Sequence, residues 1–293
     1  MQLPLEATEH RVCREYTPRE LALDEETACS RFRRRLVKWL FKQLYPLALR
    51  ERIYARVRRY LPRSDCRARL WFGNTRLEHL SPTDVAHAQI YWLGFYELEL
   101  SKRIACLGKR GGLLVDVGAN AGYYTCMWAA LNPGNQVTAF EASPRTIPML
   151  TSNVKAAGLS AQVQINPLAL GNKADRMPFE LGPPEQTGWG GLTSGGEPGA
   201  IEVEVRRLDE LLAPGAAIEV LKIDTEGADT WVLKGAEGLL RAGVIRHLFF
   251  EMNSFRMARL GIDESEPFEF LRSVGYAVKP LGRSGTEFWA YRA

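Results

Sequence analysis

The stretch that decides the fold is "LLVDVGANAGYYT", Leu113 to Thr125. Leu113 to Val117 have the apolar content of a buried strand, yet the fourth residue is an acid, Asp116. Gly118 and Gly122 follow at once, and residues 121 to 131 then read as a helix. A strand that passes through glycines into a helix is the opening unit of an open parallel sheet, where ligands bind beyond the carboxyl ends of the strands. Gly118 permits a tight turn. Gly122 removes a side chain where the helix begins, so that a ligand can approach the backbone. The spacing G-x-x-x-G departs from the G-x-G-x-x-G of nucleotide pyrophosphate sites. Asp116 would also repel a pyrophosphate, which seeks helix N-terminal N–H groups without a neighbouring acid. A ligand that carries an ammonium group as well as a carboxylate suits this loop better.

Downstream, strands and helices alternate. "QVTAF" (136–140), "AQVQINPLAL" (161–170), "VLKID" (220–224) and "IRHLFFEM" (245–252) read as strands. Ser143 is a good N-cap, Pro144 a good first helical residue, and Gly158 a stop. Further helices are expected at about 228–241 and 264–274. Such alternation means a parallel sheet with helices on both faces. The ending "YAVKPLGRSGTEFWAYR" (276–292) reads instead as an antiparallel hairpin. Upstream, 66–80 reads as a short hairpin turning at Gly73-Asn74, and about 83–107 as one helix ended by Gly108 and Gly111-Gly112. Residues 171–200, rich in Gly and Pro, read as a long loop, and such a loop is usually functional or mobile. Its Trp189 would either stack on a ligand or anchor the loop.

The second strand ends "TAFEASP". Glu141 lies about 20 residues after the glycines, where a carboxylate can accept both hydroxyls of a ribose. A nucleoside joined to an amino acid is then the expected ligand, which is S-adenosylmethionine.

The pieces "GFYELELSKRI", "LLVDVGANAGYYT", "VTAFEASP", "LKIDTEGAD" with "VLKGA", and "FFEM" resemble the FkbM-type methyltransferases over about residues 90–280. "KIDTEGAD" is the most specific of them. The resemblance implies an α/β class I methyltransferase (Rossmann-like) fold: seven mostly parallel strands, the last antiparallel. It implies S-adenosylmethionine as donor and, most often, transfer to an oxygen of a sugar or other small metabolite. By position, Glu97, Asp116, Gly118, Asn120, Gly122 and Glu141 match its cofactor motifs or the glutamate that precedes them, and Ser143 joins that group. Asp224 and Glu226 match its fourth-strand motif.

Transfer to a hydroxyl requires loss of a proton, so a base is wanted. Asp224, Glu226 and Glu251 are the catalytic candidates, and Asp224 is alternatively a contact for the methionine ammonium. The bland reading of Glu226 is a favourable charge at a helix start. Lys222 could pair with a carboxylate, though a solvated or interface lysine is the more favoured reading. No His or Cys cluster has metal-ligand spacing; Asp224, Glu226 and Glu251 could hold a divalent cation, but this is the less favoured reading and no metal site is expected.

The remaining text bounds the setting. The chain has 293 residues, 46% hydrophobic and 25% charged, with a formal charge of +4. That balance fits a folded globular protein and does not by itself imply a nucleic-acid partner. Five scattered cysteines without a C-x-x-C pair point to a reducing compartment. No signal peptide or membrane-length apolar run is visible, so a cytoplasmic location is expected. Residues 1–85 read as a helical extension, loosely ordered at its start, and 86–293 as the methyltransferase domain. In "RFRRRLVKWLFKQLYPLALRERIYARVRRYLPR" (31–63), Arg and Lys crowd the polar positions of two helices broken at Pro46. Packing on the domain or on a second subunit, peripheral contact with the inner membrane face, and nucleic-acid binding all stay open for it, the last least favoured. The alternatives to O-methylation are N- or nucleic-acid methylation and a non-catalytic cofactor-binding module.

Overall fold

The computed structural model describes residues 28–292, apart from 45, 63, 196–197, 214 and 283–284. The expectation for residues 1–27 lies outside the described residues. The chain divides into two compact units, Met1–Arg63 and Ser64–Ala293, whereas the sequence reading draws its line at 85.

The first unit contains helices Ala28–Gln43 and Leu47–Val57, then a 3₁₀ turn, Arg58–Tyr60. Pro46 stands at the N-cap of the second helix, where its missing N–H costs no helical bond. Arg50 is buried, and its Nη2 donates to the carbonyls of Lys42 at 2.9 Å and Leu44 at 3.1 Å. The guanidinium thus satisfies carbonyls at the end of the first helix that would otherwise lack partners.

The second unit is built on a seven-stranded sheet. Its strands are β1 (Leu113–Val117), β2 (Gln136–Phe140), β3 (Val163–Asn166), β4 (Ile218–Ile223), β5 (Ile245–Glu251), β6 (Tyr276–Pro280) and β7 (Glu287–Arg292). Their order is β6-β7-β5-β4-β1-β2-β3. β1 to β5 pair in parallel, while β7 runs antiparallel between β5 and β6. This is the class I methyltransferase topology, and the C-terminal hairpin is the one read from the sequence. Val115, Val117, Leu221, Ile223, Leu248 and Phe250 pack with Val232, Leu240 and Leu271 from the covering helices. Strands buried on both faces need such continuous apolar runs. β1 is flanked by β4 on one side and β2 on the other, so the strand order reverses there. A crevice therefore opens beyond the ends of β1 and β4.

Three local expectations need correction. The helix read over about 83–107 is two, Val85–Leu93 and Leu98–Gly108, because Gly94 and Glu97 turn the chain with φ of +80° and +42°. The helix expected from Pro144 starts at Ile147, after a turn in which Thr146 N–H donates to Ser143 O. The "loop" 171–200 contains regular structure. Asp175–Glu180, Gly191–Leu192, Ile201–Arg206 and Ala169–Leu170 form a second, four-stranded sheet, with a 3₁₀ turn at Thr187–Trp189. The pairing of Asp175–Glu180 with Ile201–Arg206 links residues far apart in sequence, so no local pattern announces it.

The hairpin Ala68–Arg69/Arg76–Leu77 is present, with Gly73 and Asn74 at positive φ. It is fastened to the glycine loop by one buried side chain. Asn153 Oδ1 accepts from the N–H groups of Glu78 and His79, and Nδ2 donates to His79 O and Ala121 O, all at 2.8–3.0 Å. Among the described residues, no helix is long and apolar enough to cross a membrane.

Candidate active site

The glycine loop is held from below and from both sides. Gly118 has φ +76°, and a Cβ there would lie 1.8 Å from Asp224 O, so no side chain fits. Its N–H donates to Phe140 O, and Asp224 N–H donates to Val117 O. Asn120, also at positive φ, donates its N–H to Glu141 Oε2 at 2.7 Å. Ser143 N–H donates to Glu141 Oε1 at 2.8 Å. Glu141 is buried, and burial raises its pKa, opposed by those two backbone donors. Both oxygens are thereby fixed at the cleft wall.

That cleft, of about 590 Å³, is lined by Gly118, Asn120, Glu141 and Asp224 on the loop side. Leu168, Leu170, Phe179 and Leu192 supply an apolar wall, and Thr187, Gly188 and Gly190 lie along its rim. Three of the sequence-selected cofactor residues lie elsewhere, and one of them, Glu97, lines a second cleft. Gly122 is absent from the wall; a Cβ there would sit 2.8 Å from Leu150 Cδ1 and its φ is +88°, so glycine serves the turn and the packing of the helix start. Asp116 is fully buried beneath the loop. Its Oδ2 accepts from Thr125 Oγ1 at 2.6 Å, and its Oδ1, without a hydrogen bond, faces Lys222 Nζ at 3.6 Å.

Lys222 is the cation the acid on β1 requires: it pairs with carboxylates, and the more favoured reading as a solvated or interface lysine is corrected. It is buried and aligned with Asp116 across β4 and β1. Nζ donates to Gly118 O at 3.2 Å and Asp224 Oδ2 at 3.1 Å, and stands 5.2 Å from the Tyr124 ring centroid. Burial disfavours its charge, but Asp224, Asp116 and Glu97 outweigh that and raise its pKa.

A second cleft meets the first at Asp224. Its walls are Glu97, Glu251, Glu287, Lys222 and Asp224, with Leu100, Phe249, Phe250, Leu281 and Phe288. Tyr124 Oη donates to Glu97 Oε2 at 2.8 Å. Burial, then the Asp224 charge, pushes the Glu97 carboxyl up to about 8 and that of Glu251 up to about 10. Burial and the neighbouring carboxylates both disfavour negative charge here, so protons stay on some of these groups.

Glu226 lies in neither cleft. With φ +53°, it turns toward Asn253 Nδ2, 2.9 Å away, and Arg256 Nε at 4.0 Å. Burial and Asp224 raise its carboxyl to about 7. Trp189 is exposed and absent from both walls; its carbonyl accepts from Arg256 Nη2 at 2.6 Å. Among the described residues, no three His, Cys, Asp or Glu side chains are grouped to hold a metal ion.

Sequence reasoning missed two supports. Asp229, the last acid of "KIDTEGAD", is buried and accepts from Thr225 N–H and Thr225 Oγ1 on one oxygen and Glu251 N–H on the other. It pins the exits of β4 and β5 together. The other support is Asp84, fully buried, which caps the helix Val85–Leu93 through His87 N–H at 3.0 Å. Its second oxygen accepts from Thr187 N–H at 2.7 Å and Thr187 Oγ1 at 2.8 Å. His87 Nδ1 accepts from Ser81 N–H, which leaves Nε2 to face Asn120 Oδ1 at 3.3 Å. An acid ahead of an apolar helix signals only a cap. Its partner 103 residues away is invisible in sequence.

A seven-stranded sheet of this order, with an acidic second-strand tip at the switch-point cleft, defines a class I methyltransferase. A model of the FkbM methyltransferase domain matches residues 116–278, and the chain belongs to that family. No curated protein matches the chain. Similar solved structures include the methyltransferase FkbM from Methylobacillus flagellatus KT, 14% identical over 62% of this chain and 43% of that one, with a TM-score of 0.43. They also include the precorrin-6y C5,15-methyltransferase from Geobacter metallireducens GS-15, 12% identical over 66% and 88%, TM-score 0.37. A third is cofactor-bound Rv0187 from MTB, 14% identical over 67% and 81%, TM-score 0.40. The chain spans less than half the length of the Methylobacillus protein. These are likenesses of fold.

Family and fold imply use of S-adenosylmethionine, and the donor set of the first cleft fits it. A buried carboxylate whose oxygens are already oriented by backbone N–H groups keeps lone pairs for two vicinal hydroxyls, and an apolar wall stands beside it.

Proposed function

We propose that the protein is an S-adenosylmethionine-dependent O-methyltransferase whose acceptor, a sugar or other small hydroxylated metabolite, enters the second cleft. The supporting observation is that two clefts of different chemistry meet at one residue, Asp224. Glu141 would hold the ribose hydroxyls, the Gly118–Asn120 backbone the amino-acid end, and Asp224 the ammonium. When bound, the cofactor supplies a methyl group on a sulfonium. Everything else falls to the chain. The Phe249, Phe250 and Phe288 side chains shield the acceptor from water. Holding a hydroxyl in line with the methyl carbon can supply much of the rate. Glu97, with its carboxyl near 8 and its Oε2 hydrogen-bonded to Tyr124, is the group best matched to take the hydroxyl proton. Glu251, whose carboxyl is pushed up to about 10 by burial and then by the Asp224 charge, would keep its proton at neutral pH and donate a hydrogen bond to the acceptor.

The test is a panel of hydroxylated acceptors scored by released S-adenosylhomocysteine, with Glu97→Gln as control. Methyl release that Glu97→Gln lowers at least about a hundredfold, the low end of what a positioned general base contributes, fits the proposal. Transfer only to amines or to nucleic acid would replace it.

A further inference from the structure

The helix Ala28–Gln43 carries two apolar faces. Phe41 is buried and Val37 half-buried, and they define its inner face together with the stems of Arg34 and Lys38. Phe32, Leu36, Trp39 and Leu40 are 68%, 45%, 57% and 51% exposed. At 100° per residue these four fall within about 100° of arc. That is a continuous apolar stripe of large side chains turned to solvent. Isolated exposed apolar residues need no explanation, but a contiguous stripe does. The stripe is edged by cations. Arg33 lies along one border, Arg35 and Lys42 along the other, and all three are exposed. Across residues 31–63 there are twelve Arg or Lys and one acid, Glu51.

We infer that this helix lies on an anionic lipid surface, its Phe32–Leu36–Trp39–Leu40 stripe sunk among the acyl chains and Arg33, Arg35 and Lys42 at the headgroups. An apolar stripe with basic borders is the pattern of interfacial helices. Trp39 suits the interface, with an apolar body and one polar edge. The same charges argue against the stripe's covering a second copy of itself, since pairing would bring like charges together. They attract nucleic acid as well, but phosphates would leave the stripe bare.

The experiment is flotation of the full chain with vesicles of neutral phosphatidylcholine, with or without about one third phosphatidylglycerol, at low and high salt. Binding is expected only with the anionic vesicles, and weaker at high salt, because exposed charges are screened beyond about 8 Å at physiological ionic strength. Replacing Arg33, Arg35 and Lys42 with Gln lowers partitioning about a hundredfold, at roughly 1 kcal/mol, or about fivefold, per cation. The pair Phe32→Ser and Trp39→Ser lowers it at least about tenfold, since each removes a buried aromatic. Both sets lie on exposed positions, and unchanged circular dichroism verifies their folding. Equal binding to neutral vesicles, or none to anionic ones, overturns the inference. So does duplex DNA or RNA binding stronger than vesicle binding and indifferent to Phe32→Ser/Trp39→Ser, or a dimer in solution that this pair dissolves.

Discussion

Asp84 stands outside the family match at 116–278, yet its removal is expected to weaken the cofactor cleft. The carboxylate is fully buried and accepts three hydrogen bonds, from His87 N–H, Thr187 N–H and Thr187 Oγ1. Asp84→Ala removes a helix N-cap, worth about 1 kcal/mol. It also strands a buried Thr187 N–H, costing about 1–3 kcal/mol. The expected loss of stability is therefore about 3 kcal/mol, read from urea unfolding. Asp84→Asn is the sharper probe. Its one carbonyl oxygen can serve the cap or Thr187, but its amide presents hydrogens to whichever donor remains. The fold should survive with a loss of about 1–2 kcal/mol. Thr187 lines the cofactor cleft, and Asn120 is tied to it through His87. S-adenosylmethionine affinity, measured by calorimetry, should then fall at least about fivefold, the equivalent of one ordinary hydrogen bond. Asp84→Asn with lowered stability and unchanged affinity would reduce Asp84 to a structural cap. A variant changed in neither respect would refute the hydrogen-bond geometry itself.

Other perturbations separate charge from shape. Lys222→Met should cost about 3–5 kcal/mol in urea unfolding, because Asp116, fully buried beside it, loses its counter-charge. Glu226, Glu97 and Glu251 have folded pKa values raised to about 7, 8 and 10, above an ordinary glutamate near 4.5. The folded state therefore binds more protons than the unfolded one, and stability is full below about pH 4.5 for these groups and declines as pH rises through about 7 to 10. Urea midpoints at pH 6, 7 and 8 should fall in that order, and Glu251→Gln should flatten the trend; a rise with pH contradicts the assigned burial. If Glu97 takes the acceptor proton, turnover should climb as pH passes about 8, and Glu97→Gln should erase that limb.

Much of the sheet was legible because its signals are local. β1, β2 and the hairpin of β6 and β7 each show as apolar or alternating runs bounded by Gly, Asn or Pro. The position of Glu141 beside the glycine loop was legible as well, by its distance from the glycines. What escaped depends on contacts that sequence spacing does not encode. The single helix read over about 83–107 ran straight through Gly94, but the chain turns there to place Glu97 at the second cleft. The four-stranded sheet hid in Gly- and Pro-rich text because Asp175–Glu180 finds its partner only across the excursion to Ile201. For Lys222 the sequence offered a carboxylate partner but could not say which, and solvation was favoured. Strand register sets it opposite Asp116, and register follows from the assembled sheet. Likewise, Glu226 sits in a promising motif but turns away on a positive φ toward Asn253.

The account stands on cofactor recognition at Glu141, and one titration addresses it. S-adenosylmethionine is titrated calorimetrically into the full-length protein and into Glu141→Ala. The intact protein is expected to bind at one site, and the variant more weakly by about 1–3 kcal/mol, the scale for hydrogen bonds to a buried charged group, or about 5- to 150-fold in Kd. Equal affinity in the two proteins, or no binding to the intact one, would contradict the placement of the cofactor in the cleft between β1 and β4.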